Sequence, residues 1–122
     1  MDDDCVEVLS VEDDQRIAEL IKLALEPEGY CVRQCEDGVT ALRCIDEQEP
    51  AVILLDLMIP LLDGREFVWE LRRRRRSVPV IVISAVRDLP SQVARLPVQG
   101  FLAKPFDIQQ LVATVNSVVG DR

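Results

Sequence analysis

Five residues carry groups that could act together chemically: Glu12, Asp13, Asp56, Ser84 and Lys104. Each follows at or near the end of a short apolar run. Asp56 closes the run AVILL, and an anion there is costly unless it is paired, bound to metal or placed at an edge that solvent reaches. Two or three carboxylates in one crevice repel one another unless a cation joins them. A donor set of oxygens, in a chain with no histidine, selects a hard cation. Mg²⁺ fits best, because it takes one or two carboxylates together with waters and phosphate oxygens, and Mn²⁺ shares that preference. Ser84 adds a hydroxyl donor and Lys104 a mobile positive charge. Together these groups describe a site for a phosphoryl group, with Asp56 as the nucleophile that would form an acyl phosphate.

For those residues to meet, the apolar runs must be strands of one sheet. Residues 5–11 read as a first strand, 30–35 as a more polar strand nearer an edge, 51–55 as the central strand, 79–83 as a fourth and 100–103 as a short fifth. Helical patterns alternate with them. Asp13 or Asp14 caps a helix with an apolar stripe at Ile17, Leu20, Ile21, Ala24 and Leu25, stopped by Pro27 and Gly29. Asp37-Gly38 opens a second helix, with Ala41, Leu42 and Ile45 inward. A third carries Phe67, Val68 and Leu71 after the loop through Pro60, Asp63 and Gly64. Pro90 and Pro97 leave room for only a short helix of about two turns. The last helix starts at Asp107 and places Ile108, Leu111, Val112, Val115, Val118 and Val119 on one stripe.

Alternation of this kind predicts an α/β fold, a doubly wound (βα)5 sandwich with a parallel sheet between two helical layers. In the strand order 2-1-3-4-5 the crevice lies between the first and third strands, which brings Asp13 to Asp56. No glycine-rich phosphate loop follows the first strand, where Glu12-Asp13-Asp14 stands instead, so dinucleotide binding is disfavoured.

The totals bound the remaining possibilities. A chain of 122 residues is the size of one domain, and residues 1–122 are expected to form one without a linker or an output domain. No apolar run nears the length of a membrane span, and the start MDDD is unlike a secretory signal, so a cytoplasmic location is expected. A formal charge of −8 argues against direct binding of nucleic acid. Cys5, Cys31, Cys35 and Cys44 lack the C-x-x-C spacing of a zinc site and read as reduced, mostly buried thiols. The five arginines at 72–76 read as the solvated last turn of a helix, favoured by its dipole, with a partner-docking patch as the alternative.

The segments VEDD, LLDLMIPLLDG, VIVISA and FLAKPF, in this order and spacing, resemble the receiver domain of two-component response regulators along essentially the whole chain. The resemblance implies a flavodoxin-like fold and a phosphoacceptor role for Asp56, supplied by a histidine kinase or histidine phosphotransfer protein. It also implies Mg²⁺ on Asp13, Asp56 and the backbone carbonyl of Met58, with Glu12 acting mainly through water. Ser84 and Lys104 would bond phosphoryl oxygens, and the Lys104-Pro105 bond would be cis. Phe101, most simply a core aromatic, would turn inward when Ser84 moves, and a downstream protein or covalently linked output domain would read the change. Such a domain is not an enzyme beyond its own phosphorylation and slow dephosphorylation.

The spacing from Ser84 to Lys104 is shorter than the family usually has, which implies a shortened or irregular fourth helix. A family homodimer is possible, but its mode does not transfer. Two other readings compete. A pseudo-receiver interaction module would not keep the acid set with Ser84 and Lys104. An aspartate-nucleophile phosphohydrolase of the haloacid dehalogenase type would carry a second aspartate where Met58 stands.

Overall fold

The central apolar runs form strands whose successive side chains feed opposite faces of one sheet, the reason for near-continuous apolarity rather than alternation. The computed structural model describes residues 5–120; the acidic start at 1–4 lies outside the described residues. The order is β1 (Val6–Val11), α1 (Gln15–Leu25), a 3-10 turn at Glu26–Glu28, β2 (Tyr30–Cys35), α2 (Gly38–Glu47), β3 (Val52–Leu55), α3 (Gly64–Arg73), β4 (Val80–Ser84), α4 (Leu89–Val93), β5 (Gly100–Ala103) and α5 (Ile108–Val119). The sheet is parallel throughout, in the order β2-β1-β3-β4-β5.

Two cores result. Leu9, Val11, Ile53, Leu55, Val80 and Val82 pack under α2, α3 and the short α4, with Phe67 and Leu71 among the buried partners. Val8, Val52, Leu54, Ile81 and Ile83 face the other way, against Ile21 and Leu25 of α1 and Leu111 and Val115 of α5. Each fully buried side chain of this size contributes about 1.5–3 kcal/mol. The helices start where aspartates cap them: Asp14, Asp37, Asp63 and Asp107 each accept backbone N–H bonds from the first turn.

Four expectations are corrected. Cys5 and Cys31 are not free thiols but a disulfide, with Cα atoms 5.8 Å apart. Parallel pairing of β1 with β2 sets Glu7 opposite Cys31, which brings Cys5 within bridging range though 26 residues separate the two. Cys35 and Cys44 remain thiols, and burial, with Cys44 alongside, pushes the Cys35 thiol up to about 12. Ile108 lies 48% exposed at the start of α5, since the edge strand β5 covers only part of that helix's stripe. Phe101 is 43% exposed rather than in the core. Pro90 stands inside the first turn of α4 instead of bounding it, because an early helix position has no N–H partner to lose.

The arginine run is only partly solvated. The Arg72 guanidinium donates to the carbonyls of Arg76 (2.7 Å), Val78 (3.1 Å) and Pro97 (2.8 Å), tying the end of α3 to both β4 and the approach to β5. Arg74 and Arg76 reach Asp46 of α2, and Arg76 also reaches Glu49. Replacing Arg72 by Met leaves three carbonyls without that donor and is expected to lower stability by about 1–3 kcal/mol. Arg75→Gln, at an exposed position with no ion pair among the described residues, is expected to stay within about 0.5 kcal/mol of wild type. Urea unfolding of both variants gives the comparison, and equal midpoints would refute it.

Candidate functional site

The crevice forms where β1 and β3 end side by side. Asp56 N–H donates to the Val11 carbonyl (3.1 Å), and Glu12 N–H to that of Cys35 (3.0 Å). These bonds set the acidic residues just beyond the strand tips. Lys104 N–H donates to the Ser84 carbonyl (2.9 Å), which aligns the ends of β4 and β5 with them. The Lys104-Pro105 bond is cis.

Asp56 is 6% exposed, and both its oxygens are engaged. Oδ1 accepts from Ser84 Oγ (3.0 Å) and from the Met58 N–H (3.0 Å). Oδ2 lies 2.8 Å from Lys104 Nζ, which also lies 2.8 Å from Glu12 Oε1. Glu12 Oε2 accepts from the Asp14 N–H (3.1 Å). Burial raises the Glu12 carboxyl above the usual carboxylate range; the Lys104 hydrogen bond opposes that, while the Asp56 charge adds to it. Burial alone would lower the Lys104 ammonium, but hydrogen bonds and charge from Asp56 and Glu12 outweigh it and hold it above its ordinary value.

Glu12, Asp13 and Asp56 each offer a carboxylate oxygen, all within 4.8 Å of one another. Three carboxylates face one ammonium, a formal excess of two negative charges, which one divalent cation would cancel. Oxygen donors with an exposed Asp13, where waters can complete the shell, suit Mg²⁺. All five residues singled out from the sequence therefore meet in one place. Met58 and Val86 flank it: the Met58 side chain is 64% exposed, and the Val86 N–H approaches Ser84 Oγ (3.4 Å). Phe101 lies outside the cluster, on β5 opposite Val82, two positions before the Ser84–Ala103 pair.

Gly64, which sequence spacing marked only as part of a loop, supports the site directly. Its N–H donates to the Leu57 carbonyl (3.1 Å). A Cβ there would lie 2.6 Å from Leu57 Cα and 2.9 Å from the Asp56 carbonyl oxygen. The DG pair ahead of a helical pattern was the one signal for this contact, since a glycine there can mark close backbone approach.

Fold and site together define a phosphorylation-type receiver architecture. The sequence matches the response regulator receiver domain family over residues 8–116, and the chain belongs to that family. It is 34% identical over 114 residues to the uncharacterized transcriptional regulatory protein YkoG of Bacillus subtilis (strain 168), covering 92% of this chain and 50% of that one. It is 32% identical over 114 residues to the response regulator MprA of Mycobacterium leprae, with 92% and 50% covered. The chain thus spans about half the length of the curated relatives it matches. Among solved structures, the Francisella response regulator 1452 receiver domain superposes with a TM-score of 0.86 at 33% identity, covering 93% of this chain and 95% of that one. The receiver domain of sensor histidine kinase PA1611 from Pseudomonas aeruginosa PAO1, which has magnesium coordinated in its active site cleft, gives 0.86 at 30%, with 96% and 99% covered.

Proposed function

We propose that Asp56 accepts a phosphoryl group from a phosphohistidine on a histidine kinase or phosphotransfer protein, and that the resulting acyl phosphate switches the domain. The observation that carries this reading is the Asp56 carboxylate held between Ser84 Oγ and Lys104 Nζ, with Glu12 and Asp13 alongside. A carboxylate oxygen attacks phosphorus as the P–N bond breaks, and the electron pair leaves with the imidazole nitrogen. Lys104 neutralises charge on the phosphoryl oxygens, and Ser84 turns its hydroxyl from Asp56 to one of them. Asp13, Asp56 and the Met58 carbonyl would hold Mg²⁺ directly and Glu12 through water; when bound, Mg²⁺ offsets the carboxylate charge and steadies the phosphoryl oxygens, and Mn²⁺ would substitute.

Movement of Ser84 draws the end of β4 inward and opens space for Phe101, which stands outward on β5, to turn in. A downstream protein or a covalently linked output domain reads that change. The domain turns over no other substrate and does not itself bind nucleic acid. A kinase as phosphoryl donor implies a cytoplasmic domain, in which the Cys5–Cys31 bridge would be open to reduction. No helix among the described residues is long and apolar enough to cross a membrane.

Intact-mass spectrometry after incubation with acetyl phosphate tests the reading. One phosphoryl adduct that forms with Mg²⁺ and not with EDTA supports it; no adduct with either acetyl phosphate or a phosphohistidine donor would sink it. The lifetime of the adduct follows from its neighbours. Neither Met58 nor Val86 has a polar group to orient an attacking water, so dephosphorylation is expected to be slow. Met58→Asn should speed it by about tenfold, less than the hundredfold or more of a true general base. An unchanged or slower decay of the adduct would count against this account.

A further inference from the structure

The segment that runs from α3 to just past α4 differs in net charge from the rest of the chain. Residues 65–95 hold eight of the fourteen lysines and arginines but three of the 22 aspartates and glutamates, a formal +5 within a chain of −8. Arg72 is taken up by backbone carbonyls, Arg74 and Arg76 pair with Asp46, and Arg73 pairs with Glu70. Arg65 and Arg95 instead line a groove of about 630 Å³ between α3 and α4, together with Trp69, Ser91, Gln92 and Leu96.

Trp69 is 53% exposed and lies one helical turn beyond Arg65 on the same face of α3. The Arg65 guanidinium is already oriented, donating to Gln92 Oε1 from Nη2 (2.8 Å) and Nε (3.2 Å) and pairing with Asp63 at 3.3 Å. Arg95 is exposed and makes no ion pair among the described residues. Arginine and a half-exposed indole around a groove are the residue types that anchor protein interfaces. Two arginines and no carboxylate line the groove, and that charge selects an acidic occupant. An extended nucleic acid would run off the groove onto the rest of the chain, whose residues carry a formal charge of −13. A short acidic segment fits within it.

We propose that the α3–α4 groove docks an acidic protein segment with an apolar anchor residue, the anchor seated on Trp69 and Leu96 and its flanking carboxylates paired with Arg65 and Arg95. The groove is separate from the Asp56 cluster, so the test uses the unphosphorylated chain and does not depend on the phosphoacceptor reading.

Trp69 is the only tryptophan, so its emission reports the groove directly. The probe is the capped octapeptide Glu-Asp-Asp-Leu-Phe-Asp-Glu-Glu, titrated into the full chain at low salt. A saturable blue shift with a Kd below about 1 mM is expected, weakened by about tenfold in an Arg65→Gln, Arg95→Gln double variant. Arg95→Gln alone breaks no ion pair among the described residues and is expected to weaken binding by about threefold with unchanged circular dichroism. A peptide with Ser-Gly in place of Leu-Phe is expected to leave the emission unshifted. The proposal is overturned by no shift up to about 1 mM peptide, by equal binding of the Ser-Gly peptide, or by binding indifferent to both arginines. A shift that grows with protein concentration alone would make a second copy of the chain the occupant and overturn it as well.

Discussion

Asp56→Asn is expected to take up no phosphoryl group from acetyl phosphate and Mg²⁺ under conditions in which the wild type becomes singly modified. The amide oxygen of Asn still accepts from the Met58 N–H and Ser84 Oγ, which both bond Asp56 Oδ1, so the strand-end geometry is kept. What is lost is the nucleophilic oxygen anion that faces Lys104 at 2.8 Å. An amide neither attacks phosphorus at a useful rate nor holds a divalent cation as a carboxylate does. Labelling is expected to fall by at least about a hundredfold, below detection by intact mass, with no loss of circular dichroism. Labelling of the variant at the wild-type rate would move the acceptor to another carboxylate, with exposed Asp13 the first to examine. Folding of the variant is a control in its own right: one of three clustered carboxylates is gone, and Lys104, which then faces an amide NH2 in place of Oδ2, keeps Glu12 as its partner.

Gly64→Ala is expected to destabilise the chain by about 3 kcal/mol. The added methyl would meet backbone on two sides, Leu57 Cα at 2.6 Å and the Asp56 carbonyl oxygen at 2.9 Å. Neither can rotate away as a flexible side chain would, so α3 or the loop after β3 must shift. That loop carries the Met58 N–H that bonds Asp56, and the same change is therefore expected to slow phosphorylation as well as lower the unfolding midpoint. Gly100→Ala is the matched comparison. A Cβ there would meet the Val118 Cγ2 at 3.6 Å, ordinary contact, and a change within about 1 kcal/mol is expected. Urea unfolding of the pair decides it: similar midpoints would show that the approach of α3 to Leu57 relaxes freely.

Much of this was legible from local pattern. Apolar runs of strand length between helix-period stripes specified the five βα units, since burial on both faces demands near-continuous Val, Ile and Leu. The site was legible for the same reason: Glu12, Asp13, Asp56, Ser84 and Lys104 each stand at or just past the end of a strand, and a parallel sheet gathers such ends at one edge. Aspartate at the head of each main helix was readable because capping is a contact between residues two or three apart.

What sequence spacing left hidden are contacts across the sheet or between layers, which no local period encodes. The Cys5–Cys31 bridge depends on the lateral register of β1 and β2. Arg72 reads as one charge among five, but its carbonyl partners come from the turn after α3 and from the approach to β5. Phe101 and Ile108 read as core residues, and lie exposed because β5 is an edge strand with a neighbour on one side only. Sequence alone therefore determined which elements form and which five residues stand at their ends, because both follow from short-range periodicity and strand length. The tertiary structure alone decided that Lys104 bridges Glu12 and Asp56, that Gly64 must lack a side chain, and that Trp69 faces a cationic groove. Each of those depends on the distance between elements remote in the chain, which is set by how the two helical layers pack on the sheet.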